Sequence, residues 1–102
     1  RKIRFSACGE QDMEEVLTLV ERNLTEAATL LERFNVATVQ EVIRREEEID
    51  VRVKEILDRH LKRFHQRECS PEAGPIFVEM LGHLERISDL CDNIAEYVWE
   101  VQ

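Results

Sequence analysis

The side chains with chemistry to offer in this 102-residue chain are carboxylates, and their spacing gathers them. In the stretch 84–96, LERISDLCDNIAE, Glu85, Asp89, Asp92 and Glu96 recur at steps of four, three and four. At 100° per residue those steps place all four on one strip of helix roughly 60° wide. A second E-x-x-x-D pair, Glu46 and Asp50, lies in the run REEEIDVRVK at 45–54. Like charges at such spacing repel by a few tenths of a kcal/mol per pair, so they call for a counter-charge or a cation.

The earlier pair is the more unusual. With Val53 set at zero, Val42, Ile49, Ile56 and His60 fall within about 60° to one side, and Val39, Leu57 and Phe64 within about 40° to the other. Glu46 and Asp50, at roughly 20° and 60°, lie inside this apolar face. A carboxylate on a core-facing stripe is costly unless it is paired, protonated or metal-bound. One account makes both clusters surface charges that pair with Arg44, Arg45, Arg52, Lys54 and Arg86. The other makes them one shared site, and the recurrence of the spacing on two helices favours it. Hard oxygen donors in this number suit magnesium, manganese, calcium or iron, and zinc less well.

Other chemistries find less support. Inward carboxylates on a helical bundle raise a di-iron oxidase, whose sites add Glu-x-x-His motifs. Here the residues three before His60, His65 and His83 are Leu57, Lys62 and Met80, so that motif is absent. His60 reads as a core histidine and His65 as a residue favouring a helix C-terminus. Cys8, Cys69 and Cys91 form no C-x-x-C pattern and read as reduced thiols. With no nucleophile–base pairing and no glycine-rich phosphate loop, the chain is expected not to be an enzyme. A formal net charge of -8 argues against a nucleic-acid partner and for cations or a basic protein surface.

Positioning these groups requires long helices. Charged residues make up 35% of the chain, with only three Gly and two Pro, a profile of helical bundles. The expected architecture is all-α, an up-down-up antiparallel three-helix bundle with helices at about 7–34, 36–66 and 71–101. Ser6 and Ser70–Pro71 are start signals for the first and third helices, Gly9 delays the first, and Asn35 or Thr38 caps the second. On the first helix Met13, Leu17, Val20, Leu24, Ala27, Leu31 and Phe34 form a heptad-like seam, with Glu14, Glu15, Glu21, Arg22, Glu26, Glu32 and Arg33 left as a solvated surface. Gly82 costs roughly 1 kcal/mol against Ala, which a close helix approach could repay. Residues 1–5 read as a linker and 6–102 as the bundle. An opening Arg1 in place of Met is expected of a fragment or processed product, and no run is long and apolar enough to span a bilayer.

The motifs together resemble a known family. The paired E-x-x-x-D motifs, with REEEID, ECSPEAG and LERISDLCDNIAE in that order, are similar to PhoU-type helical bundle domains. In particular they resemble the cytoplasmic C-terminal PhoU-like domain of bacterial sodium/phosphate cotransporters, over about residues 5–97. The chain departs from the family's frequent Gly-Asp-His in having Ser88, Asp89 and Leu90, and it holds one three-helix repeat rather than two.

The resemblance implies a regulatory domain at the cytoplasmic face of the bacterial cell membrane, acting on phosphate transport through contact with a membrane transport domain. It also implies a bound metal ion (iron, manganese, zinc or magnesium) held by Glu46, Asp50, Glu85 and Asp89, with Asp92 and Asn93 as further candidates. A second copy of the chain is another expected partner, because one bundle can dimerise to cover an apolar flank. Two other readings stay open: a metal-free interaction module with an acidic docking face, and a free-standing PhoU-type phosphate-signalling regulator.

Overall fold

Asn35 turns the chain between its first two helices. Its Oδ1 accepts a hydrogen bond from the Thr38 N–H at 3.1 Å, and its carbonyl accepts from the Val39 N–H at 3.1 Å. This is an N-cap, so of the two candidates Asn35 is the cap. The computed structural model describes residues 7–65 and 73–101. Over them run α1 (Ala7–Glu32), α2 (Val36–His65) and α3 (Ala73–Val101). The expected starts at Ser6 and at Ser70–Pro71 lie outside the described residues. Gly9 sits inside α1 instead of delaying it, and α1 ends two residues before the expected 34. Pro75 falls in the first turn of α3, where its missing N–H removes no helical hydrogen bond.

Each helix packs against both others, with Cα extents of 51 × 26 × 16 Å. The short 33–35 turn makes α2 an antiparallel neighbour of α1, and α3 then runs parallel to α1. The core falls into two clusters. One holds Met13, Val16, Val20, Ile49, Val53, Ile56, Phe77 and Leu81; the other holds Ala27, Leu30, Val39, Val42, Cys91, Ala95 and Val98.

Between the clusters, at one level of the bundle, each helix contributes a buried polar residue: Asn23, Arg45 and Ser88. Asn23 donates through Nδ2 to the Val42 carbonyl at 3.1 Å and accepts from the Arg45 guanidinium at 2.9 Å. Arg45, only 3% exposed, also meets Glu26 at 3.0 Å and Glu41 at 3.2 Å. Ser88 Oγ is buried and finds no hydrogen-bond partner.

Three expectations need correction. The seam on α1 is turned from the one its leucines mark: Leu17, Leu24 and Leu31 are exposed, and Val16, Asn23 and Leu30 are buried in their place. Glu15 and Glu26 are not free surface charges, since Glu15 meets Arg52 at 2.9 Å and Glu26 meets Arg45. Gly82 stands at no close helix approach, because a Cβ added there meets nothing within 4 Å.

Candidate metal centre

The antiparallel run of α2 against α3 decides what the two carboxylate motifs do. From Glu46 the chain moves one turn down α2 to Asp50, and from Asp89 one turn back along α3 to Glu85. The two E-x-x-x-D motifs therefore face each other in reverse order, each Glu opposite an Asp. Glu46 faces Asp89 and Glu85 faces Asp50, each pair close enough to share a proton when one partner holds it. Glu46, Asp50, Glu85 and Asp92 are half-buried, and Asp89 is exposed. Glu46 and Asp50 thus stand at the rim of the apolar face of α2, on its α3 side, and not in its centre. Asn93 is exposed, a step further round α3 toward solvent.

Crowding raises the proton affinity of this seam. Burial, then the charges of Asp92, Asp89 and Asp50, then the hydrogen bond with Asp89 push Glu46 up to about 7. Burial raises Glu85 as well, followed by the hydrogen bond to Asp50 and the charges of Asp50 and Asp89, with Lys54 acting the other way. Asp92 is raised by burial and by Glu96, Asp89 and Glu47.

Three of the four arginines proposed as counter-charges turn elsewhere. Arg44 meets Glu41 at 3.0 Å and Glu48 at 3.8 Å, Arg45 meets Glu26 and Glu41, and Arg52 meets Glu15. Lys54 does reach Asp50, at 3.6 Å, but it is 74% exposed and screened by solvent.

Whether these residues suit a metal can be asked of the donor set itself. All the donors are oxygens, their charge is in excess, and they line two facing turns, which fits a hard cation. The carboxylates meet as two pairs and not as one converged cluster. Among the described residues no three His, Cys, Asp or Glu side chains stand together as a ready ligand set. Neither His60 nor His83 contributes: His60 is buried and stacked on Phe77 with ring centroids 4.6 Å apart, and His83 lies 3.8 Å from Glu79. That composition matches zinc least well.

Sequence reasoning missed what adjoins the seam. Toward the C-terminal end of α3, a cavity of about 430 Å³ opens between α2 and α3, lined by Val39, Gln40, Ile43, Glu96, Trp99 and Glu100. Trp99 leans on Phe34 with centroids 6.3 Å apart and remains half exposed. The signal was present in the apolar run Val39, Ile43 and Trp99, but which flanks of two helices leave a gap is a tertiary fact. Among the described residues no helix is long and apolar enough to cross a membrane.

The family model described as PhoU domain matches residues 13–98, a span that holds all six candidate ligands. No curated protein and no solved structure matches the chain.

Proposed function

The chain belongs to the PhoU domain family, regulatory helical domains and not a known enzyme family, and on that premise we propose a regulatory domain of a sodium-dependent phosphate transporter whose α2–α3 carboxylates hold a metal ion. Family membership ties the chain to the regulation of phosphate transport. The transporter context rests on the resemblance of its motifs to the cytoplasmic domain of sodium/phosphate cotransporters. In this reading the domain meets a membrane transport domain at the cytoplasmic face of the membrane.

The observation that carries the metal is the facing of the two E-x-x-x-D motifs, which gathers acid into a largely half-buried seam while Arg44, Arg45 and Arg52 pair elsewhere. Glu46, Asp50, Glu85 and Asp89 are the ligands, with Asp92 and Asn93 at the edge. A hard cation such as manganese, iron or magnesium would neutralise the seam and join α2 to α3. Elemental analysis of protein purified without chelators or an affinity metal column tests this. The expected result is metal at near one ion or more per chain, lost in the double variant Asp50→Ala/Asp89→Ala with helicity retained. Metal content unchanged in the double variant overturns the ligand assignment, as does failure of manganese and magnesium titrated back to bind.

A second reading is favoured by the cavity at Trp99. Its apolar lining and the rim carboxylates Glu96 and Glu100 suit a basic segment with one bulky apolar side chain. Cytoplasmic loops of membrane proteins carry an excess of Lys and Arg, so this surface fits docking on a transporter with or without metal. Binding that weakens steeply with salt in metal-free protein supports that reading.

A further inference from the structure

The cavity between the start of α2 and the end of α3 has a chemistry distinct from that of the seam. Its wall is apolar: Val39 is buried, Ile43 is half-buried, and the indole of Trp99, 51% exposed, stands beside them. Phe34, which does not line the cavity, leans on that ring and props it. Glu96 and Glu100 complete the lining from α3. They are four residues apart, so about 6 Å of helix rise separates them on one side of α3, with Trp99 between them in height. Both are exposed, and among the described residues no Lys or Arg pairs with either. Arg44, next to Ile43 in the chain, is held by Glu41 and Glu48.

Each feature excludes a class of ligand. Two carboxylates repel an anion such as phosphate. An apolar wall gives a divalent metal few of the oxygens it needs. A neutral apolar ligand leaves both carboxylates without a partner. What remains is an organic cation, and a cavity of about 430 Å³ lies in the range of small-molecule pockets. Methylene groups suit Val39 and Ile43, an ammonium suits the indole face, and a pair of ammoniums suits the pair of carboxylates. An extended spacer of four methylene groups sets its two nitrogens roughly 6 Å apart, from ordinary C–C and C–N lengths. That matches the rise from Glu96 to Glu100.

We propose that this cavity binds a linear aliphatic diamine. Its methylene chain lies on Val39 and Ile43, one ammonium meets Glu96, and the other sits between Glu100 and the ring of Trp99. The inference rests on the premise it shares with the docking reading, that this cavity selects positive charge, and commits to a free small molecule where that reading has a protein segment.

Trp99 is the only tryptophan in the chain, so its fluorescence reports on this cavity. Metal-free protein is titrated at constant ionic strength with 1,4-diaminobutane, 1-aminobutane and magnesium, and calorimetry gives the affinities of variants. The expected result is a saturable change in Trp99 emission with the diamine, an affinity at least about fivefold weaker for the monoamine, and no change with magnesium. Glu96→Gln and Glu100→Gln, both at exposed positions, each weaken the diamine about fivefold with an unchanged circular dichroism spectrum. Asp50→Ala/Asp89→Ala leaves it bound. No response to the diamine up to about 10 mM, or an equal response to magnesium, overturns the proposal. So does binding that survives both glutamine variants and is lost with the seam carboxylates, because the amine then sits in the seam. A Lys-rich peptide that shifts Trp99 emission where the diamine does not overturns this proposal and leaves the docking reading standing. Diamine binding without peptide binding supports the proposal and removes that reading.

Discussion

Glu46 on α2 stands opposite Asp89 on α3, with Asp50 opposite Glu85 one turn away, each pair close enough to share a proton. Two carboxyl groups can be hydrogen-bonded to each other only when one of them keeps a proton. Burial and the neighbouring negative charges favour the protonated forms of Glu46, Glu85 and Asp92, so the folded chain holds protons in the seam more tightly than free carboxylates do.

This fixes a pH dependence. Glu46 gives up its proton at about 7 in the folded chain, against 4.5 for an ordinary glutamate. Between those values the folded state binds more protons than the unfolded one, so stability falls as pH rises. The contribution is full below the unfolded value and gone above about 7, and Glu85 and Asp92 shift in the same direction. Metal-free protein is expected to melt at a lower temperature at about pH 8 than at about pH 5, and Glu46→Gln to flatten that slope and be the more stable chain at pH 8. Thermal melts followed by circular dichroism decide it. A variant less stable than wild type at pH 8 would mean that the Glu46 charge is favourably paired.

Metal and proton then compete for the same oxygens. Loading a cation displaces the shared protons, so manganese affinity should rise from about pH 6 to about pH 8, with protons released on binding. Calorimetry in two buffers of different ionisation enthalpy counts those protons. Binding without proton release would place the ion on carboxylates outside the Glu46–Asp89 and Asp50–Glu85 pairs.

Much of this seam is legible in the sequence because its two motifs obey helical spacing and the turns between helices are short. Spacing puts Glu46 with Asp50 and Glu85 with Asp89; antiparallel packing of neighbouring helices does the rest. The α1 seam departs from the line of its leucines for an equally physical reason. Its leucines, at 17, 24 and 31, outweigh in hydrophobicity the line that is buried, because that line includes Asn23. An asparagine reads as core only once Arg45 is known to enter the bundle and bond it; at 100° per residue Arg45 lies at the edge of the apolar face of α2, about 20° beyond Ile56, whereas Arg44 lies opposite that face. Apolar residues on both flanks of α1 left the rotation to be set by which flank other helices cover.

Arg45 joins α1 to α2 through the buried polar layer. Its guanidinium, buried between the two apolar clusters, meets Asn23, Glu26 and Glu41 from two helices. Removing one partner of a buried ionic network strands the rest, so Arg45→Ala should cost about 3 kcal/mol in urea unfolding. Arg45→Met fills most of the space and should cost less. A double-mutant cycle with Asn23→Ala is expected to show coupling of about 1 kcal/mol, since the two side chains touch. If both arginine variants lie within about 0.5 kcal/mol of wild type, the polar layer contributes nothing net.

Gly82 offers the opposite case, a residue whose apparent reason is missing. Glycine in the interior of a helix costs roughly 1 kcal/mol against alanine through backbone entropy, and close packing of a neighbouring helix is the usual compensation. Here an added Cβ meets nothing within 4 Å, so the methyl group can enter without displacing a neighbour. Gly82→Ala should therefore stabilise the chain by about 1 kcal/mol, a rise of roughly 4–8 °C in Tm for a domain of this size. The gain should be the same with and without added metal, because the methyl group meets nothing in the seam. A Tm that is unchanged or lowered in Gly82→Ala would overturn the reading that the site has room for a methyl group.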